Sequence, residues 1–194
     1  MSDLFRQGDD ATQLSLEERE GLIPTHIALR RELNELEQAN IIEAELWSFQ
    51  RLRNPLDEAF GRNLHRRMFG KVWRWAGTYR ATDKNIGVDH RDIHRRLYEL
   101  VDNVRYWMKR ETFAPDEIAA RFHHGLVFIH PFANGNGRWS RLMADLLLAR
   151  TGAQRFSWGG SGLRNADEMR SAYILALRAA DQHDFKPLIQ FLRS

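Results

Sequence analysis

Apolar residues recur along most of this chain at helical spacing, and the stretches where that period fails mark its loops. Ser15 and Glu18 form a capping box, and Gly21 followed by Pro24 closes the short helix they open. A longer helix is predicted from about Arg31 to Leu52, with Leu33, Leu36, Ile42, Leu46 and Phe49 on its apolar side. Asn54 as N-cap and Pro55 at the first position start the next, which carries the stripe Leu56, Phe60, Leu64 and Met68. Leu97, Leu100, Val101, Val104, Trp107 and Met108 mark another helix, and Pro115-Asp116-Glu117 opens one that runs to Leu126, Val127, Phe128 and Ile129. The period resumes at Leu142, Met143, Leu146 and Leu147 and ends at Gly152. Asn165 and Glu168 cap a helix through Met169, Ala172, Tyr173, Ala176 and Leu177, and Asp184 caps a last one ending near Leu192.

Two stretches break the pattern. From Trp73 to Ile93 the sequence runs Gly77-Thr78-Tyr79-Arg80, a polar Asp83-Lys84-Asn85, then Ile86-Gly87-Val88; a β-hairpin is expected, with an irregular surface loop as the competing reading. Ser157 to Gly162 is a glycine-rich connector. The expected fold class is mainly α, with a small β-hairpin beside the polar loop that follows Ile129.

Composition narrows the reading. At 194 residues the chain suits one well-packed domain. With no cysteine, neither a disulfide framework nor a cysteine metal site is available. The polar start Met-Ser-Asp-Leu-Phe-Arg lacks a signal-peptide core, and no run approaches membrane-spanning length, so a cytoplasmic location without membrane is expected. A net charge of +3 and a pI near 9.5 would fit nucleic acid if the basic residues formed a stripe. Arg30 and Arg31, Arg66 and Arg67, Arg95 and Arg96, and Lys109 and Arg110 are instead scattered among acids, so no nucleic-acid partner is expected.

The chemistry concentrates in His130-Pro131-Phe132-Ala133-Asn134-Gly135-Asn136-Gly137-Arg138-Trp139-Ser140-Arg141. Gly135 and Gly137 let the backbone turn and present successive N–H groups to an anion, where the following helix contributes its positive end. Arg138 and Arg141 project from nearly one face and could fork onto phosphate oxygens. His130 is the nearby group able to accept a proton at neutral pH, although a histidine buried for packing alone reads the same way. His123 is read as a packing or hydrogen-bonding residue, since no carboxylate at ligand spacing completes a zinc site with His130. Trp139 either borders a bound nucleotide or faces the core.

These residues resemble the signature of the Fic family (Fic/Doc superfamily). The resemblance implies transfer of AMP from ATP to a hydroxyl of a target protein, with His130 as base, Gly135, Asn136 and Gly137 as phosphate cradle, and Arg138 and Arg141 as phosphate ligands. It implies Phe132 as the loop's anchor and a hairpin around 78–92 as the docking edge for the target protein. Asn134 stands where the family has a carboxylate that holds Mg2+, which puts metal binding by Asn134 in question. Both glycines are kept, which favours AMP transfer over the phosphate transfer of the Doc branch; a non-catalytic nucleotide- or partner-binding module is the reading from another class.

The resemblance covers 54–194, and residues 1–53 are then an N-terminal helical extension packed on the core. Glu32 to Ile41 and the C-terminal tail look most like the subgroup called mobile mystery protein B. Glu20-Gly21 is similar to the end of the family's inhibitory helix, which makes 15–21 an inhibitory helix whose Glu20 pairs with Arg141. Leu16 departs from that pattern, and a capped surface helix explains the same residues.

Overall fold

The computed structural model describes residues 15–160 and 165–194, apart from 28 and 52. Leu52 and Gly162, at the ends of the expected long helix and connector, lie outside the described residues. Eight α-helices are found among the described residues: α1 (Leu16–Glu20), α2 (Arg30–Phe49), α3 (Glu58–Phe69), α4 (Ile93–Arg110), α5 (Pro115–Ile129), α6 (Asn136–Arg150), α7 (Ala166–Asp181) and α8 (Lys186–Arg193). No helix among them is long and apolar enough to cross a membrane.

Helices α5 and α6, joined by the polar loop, form the centre, with α3 against α6, α4 and α8 against α5, and α2 lying on α3 and α6. Their shared core includes Leu64, Met68 and Phe69 of α3, Phe122 and Leu126 of α5, and Leu146, Leu147 and Leu148 of α6, all nearly inaccessible. Each such side chain contributes roughly 1.5–3 kcal/mol by leaving water, which makes the α5–loop–α6 unit the best-supported part of the chain. The capping box of α1 is formed, with Glu18 N–H donating to Ser15 Oγ (3.3 Å) and Ser15 N–H to the Glu18 carboxylate (2.8 Å). The strip after α1 lies on the core edge: Ile23 N–H donates to Val72 O (2.8 Å), and Arg74 N–H to Gly21 O (2.9 Å).

Two helical details differ from the sequence pattern. Helix α3 starts later than expected: Asp57, not Asn54, caps it by accepting from Ala59 N–H at 2.9 Å. Asn54 Oδ1 instead accepts from Leu56 N–H (3.1 Å), making Asn54-Pro55 a turn before the helix. In α2 the expected apolar face is largely outside, with Leu36, Ile42 and Leu46 exposed. The inward face carries Leu33, Glu37, Asn40, Ala44 and Ser48. This helix is turned toward polar partners on α6 and the Trp73 indole, and their hydrogen bonds outweigh the modest apolar content of its other side.

The expected β-hairpin is not formed: no strand occurs among the described residues of 78–92, and Tyr79 makes an isolated bridge to Phe132. The groups that a hairpin ladder would pair are committed elsewhere. Arg80 N–H donates to Pro131 O (2.9 Å) and Val88 N–H to Ile129 O (3.4 Å), across to the polar loop and the end of α5 rather than to each other. The Arg80 guanidinium takes the Thr82 and Val88 carbonyls, and the Asp83 carboxylate takes His90 N–H at 2.8 Å. The segment is therefore a loop folded around a buried cation, closed by a 3-10 turn at His90–Asp92.

Candidate active site

His130 ends α5 in the left-handed conformation (φ 55°, ψ 59°), which turns the chain sharply into the loop. The residue is 5% exposed. Its Nδ1 lies 3.3 Å from Val127 O, so Nδ1–H donates there and Nε2 carries the accepting lone pair. Burial lowers its pKa from 6.5 to about 4, with Arg80 and Lys84 adding to the effect and the Val127 bond opposing it. At neutral pH this imidazole is neutral, the form that can accept a proton.

Phe132 is fully buried, stacked on His65 with ring centroids 3.7 Å apart and edge-on to Trp139 at 5.0 Å. His65 joins two segments: Gly77 N–H donates to its Nδ1 (3.0 Å), which leaves Nε2–H to donate to Asn134 O (3.0 Å). Burial holds it neutral, with a pKa near 3. Asn136, expected in the phosphate cradle, has its side chain turned inward. It accepts from Phe132 N–H (2.9 Å) and donates to Phe132 O (2.8 Å), so its amide clamps the loop instead of pointing outward.

Gly135 has φ 79°, and a Cβ there would come within 2.6 Å of the Phe69 ring, so both conformation and packing require glycine. At Gly137 a Cβ would meet nothing within 4 Å. The protein's own packing leaves this side of the first turn open. Helix α6 has no side-chain cap at its start, so its leading N–H groups and positive end face that space.

The two arginines are held differently. Arg138 pairs with Glu37 of α2 at 2.6 Å and lies over the Phe69 ring. Glu37 is buried and also accepts from Trp73 Nε1 (2.7 Å). Arg141 lies over the rings of Tyr173 (4.9 Å) and Trp158 (5.4 Å), and its buried Nε has no hydrogen-bond partner among the described residues. Trp158, from the segment expected to be only a connector, is fixed by donating to the buried carboxylate of Asp145 at 3.1 Å. Tyr173 is fixed by His123 Nε2 at 2.8 Å, in keeping with the packing role expected of His123. Trp139 faces the core, 2% exposed, and donates to Gly61 O (2.9 Å).

His130, Asn134, Gly135 and Gly137 lie in the turn between α5 and α6 and Arg138 and Arg141 in the first turns of α6, whereas Glu20 lies apart from them on α1. Glu20 is exposed, and its carbonyl accepts from Arg74 Nη1 (3.2 Å); the expected Glu20–Arg141 pair is not formed. The α1 carboxylate that reaches the 78–92 loop is Glu18, ion-paired to Lys84. Sequence reasoning missed Glu37, His65 and Arg80. The one local signal lay in α3, where Gly61, His65 and Phe69 follow each other at four-residue spacing and widen the buried face beside Leu64 and Met68.

A proton acceptor before a glycine turn, with an open helix N-terminus and two arginines in the first turns after it, is a chemistry suited to a polyphosphate whose reacting phosphorus meets a hydroxyl. The Fic/DOC family model matches residues 55–148. A protein adenylyltransferase Fic of Drosophila grimshawi is 32% identical over 133 residues, covering 66% of this chain and 26% of that protein. Protein adenylyltransferase fic-1 of Caenorhabditis elegans is 31% identical over 137 residues, with 66% of this chain and 25% of that protein covered. The chain therefore spans about a quarter of the length of these curated relatives.

Among solved structures, the N-terminal Fic domain of a Bartonella quintana cell filamentation protein, with bound ADP, is similar at a TM-score of 0.67 and 20% identity, covering 87% of this chain and 86% of that one. BepC of Bartonella tribocorum, with bound AMPPNP, gives 0.69 at 18% identity, covering 92% and 97%. At these identities the likeness concerns the fold. Residues 55–148, with the loop that carries His130, Gly135, Arg138 and Arg141, form a Fic/DOC family domain.

Proposed function

We propose that this chain is a protein adenylyltransferase, moving AMP from ATP to a hydroxyl side chain of a target protein. The observation that carries this reading is a neutral His130, its Nδ1–H given to Val127 O so that Nε2 is the accepting nitrogen, at the head of a loop that leads into the open first turn of α6. The hydroxyl oxygen attacks the α-phosphorus, its proton passes to His130 Nε2, and the bond to the β-phosphate oxygen breaks to release pyrophosphate. Arg138, Arg141 and the α6 N–H groups offset charge on the departing phosphates. Residues 54–194 are the catalytic unit in this proposal and 1–53 its extension, of the mobile mystery protein B type, working in the cytoplasm. The exposed rim of the 78–92 loop, including Ile86, is where the target segment lies.

Label from α-labelled ATP on a protein acceptor, with none from γ-labelled ATP, tests the proposal. Label from γ instead identifies a Doc-like phosphotransferase. Nucleotide binding without either label identifies a non-catalytic module, the reading favoured by the tie between Arg138 and Glu37.

The loop does not fit magnesium. Asn134 offers a neutral amide whose Oδ1 is turned back to accept from Gly135 N–H (2.6 Å), so it lacks the negative charge the ion normally takes from a carboxylate at this position. Among the described residues, the cluster with ligand atoms close enough to share an ion is Asp83, Asp89 and His90, outside the motif. ATP affinity of the wild type is therefore expected to change little when magnesium is chelated. In Asn134→Asp, magnesium should strengthen binding of an ATP analogue about tenfold or more, by supplying one of the one or two carboxylates the ion normally takes. Calorimetric titration with and without magnesium checks both, and a flat magnesium response in the variant refutes the second.

Glu37, rather than Glu20, is the acid that competes with phosphate. Glu37→Gln keeps an acceptor for Trp73 but removes the charge from Arg138, and is expected to raise ATP affinity by roughly three- to tenfold, the range of a partly exposed charge-assisted pair. Glu20→Gly is expected to match the wild type. The reverse order of affinities would return the inhibitory role to α1.

A further inference from the structure

We propose that Arg80 is a positioning residue for His130, its guanidinium joining the base's own carbonyl to both arms of the 80–88 loop so that base and loop are set as one piece. This inference rests on the adenylyltransferase reading for its kinetic consequence only.

The Arg80 side chain is wholly inaccessible. Its Nε–H donates to His130 O (2.8 Å), Nη1 to Thr82 O (2.9 Å), and Nη2 to Val88 O and, at 3.5 Å, to Ile129 O. Thr82 belongs to one arm of the loop and Val88 to the other. Its backbone N–H adds a bond to Pro131 O (2.9 Å), so residues 129, 130 and 131 are all held by one residue. The guanidinium presents its donors from three nitrogens held in one plane, a width of reach that a lysine ammonium, with all its donors on a single nitrogen, does not have.

The loop also rests directly on the base. A Cβ at Gly87 would lie 2.6 Å from His130 Cβ and 3.0 Å from Arg80 Nη2, so only glycine permits the approach. His130 sits in a left-handed conformation that L side chains rarely adopt, and the bond to its carbonyl helps hold that geometry. The acid nearest the guanidinium is Asp83 at 3.6 Å, itself 60% exposed. Carbonyl dipoles therefore do most of the work of holding this cation inside. The charged groups that face His130 are Arg80 and Lys84, and Lys84 is paired with Glu18; those acting on Arg80 are Asp83, Asp89 and Glu18.

Hydrogen exchange on the full chain tests the joint without reference to any reaction. In Arg80→Lys, protection of Val88 and of His130 to Phe132 should fall together while α3 and α6 keep theirs. Loss confined to the loop, or no loss, overturns the proposal. Transfer kinetics then test the consequence: kcat in Arg80→Lys should fall about 100-fold, the order expected for a base displaced by about 1 Å, with ATP affinity within threefold of wild type. In Arg80→Met the acidic limb of the kcat–pH profile should also move upward, because a cation beside His130 is gone; in Arg80→Lys it should stay. An unmoved limb in Arg80→Met, or an ATP affinity that falls as far as kcat, refutes positioning in favour of a loosened fold. If Arg80→Met does not fold, the lysine variant decides alone. Joint exchange loss in a protein that transfers no label upholds the proposal and rejects the adenylyltransferase reading instead.

Discussion

His130→Ala is expected to lower AMP transfer by about 10²–10⁴-fold, the contribution of a positioned general base, while ATP affinity stays within a few-fold. The separation follows from where the groups lie. The imidazole is buried at the end of α5, whereas the groups proposed to bind the phosphates belong to Gly135–Gly137 and to α6, which begins at Asn136. Alanine keeps the Cβ against which Gly87 packs and keeps the carbonyl that Arg80 holds, so the loop retains its supports. Measuring self-labelling or target labelling beside calorimetric ATP binding checks both halves. Labelling at the wild-type rate would remove His130 from the mechanism, and loss of both binding and labelling would make it a structural residue.

Acid is expected to unfold this protein steeply between about pH 6 and pH 4. His65 and His123 are fully buried with pKa values near 3, and His130 has one near 4, in each case mainly because burial disfavours the charged ring. The native state therefore keeps these three rings neutral where the unfolded chain, with ordinary histidines near 6.5, takes up protons. The contribution is whole above 6.5 and is lost as pH falls from there toward the native values, since the unfolded state binds more protons throughout that window.

Three such groups give a slope of about 4 kcal/mol per pH unit near pH 5, at about 1.4 kcal/mol each. A domain of ordinary stability, roughly 5–15 kcal/mol, loses much of its margin within about two units. Asp145 works the other way, its carboxyl pushed up by burial, but it is one group against three. Urea unfolding followed by tryptophan fluorescence from pH 7.5 to 4.5 measures the slope, and His130→Ala should reduce it by about a third. Equal stability at pH 7 and pH 5 would show that these rings are charged inside the fold.

The sequence by itself determined the order of the helices and most of their ends, because caps and apolar periods are local. Ser15 with Glu18, Pro115 at the start of α5, and Asn165 accepting from Glu168 N–H at 2.9 Å all stand as expected. It also determined the motif's core: a left-handed Gly135 is a backbone requirement that nearly any fold would express through glycine. The tertiary structure decided what each motif residue touches. Glu37 and Arg138 lie 101 residues apart, and no local pattern says that a glutamate between Leu36 and Gln38 of α2 will turn inward to meet a guanidinium. Residues 78–92 carry hairpin-like composition, yet a buried Arg80 takes the carbonyls a ladder would have used. Whether Asn136 faced a phosphate or its own loop depended on Phe132 being held by His65, and whether Arg141 met a carboxylate or two rings depended on Asp145 fixing Trp158. Propensity and periodicity act within a turn or two of chain, whereas these choices were settled by which donor and acceptor were left unpaired once distant segments had packed together.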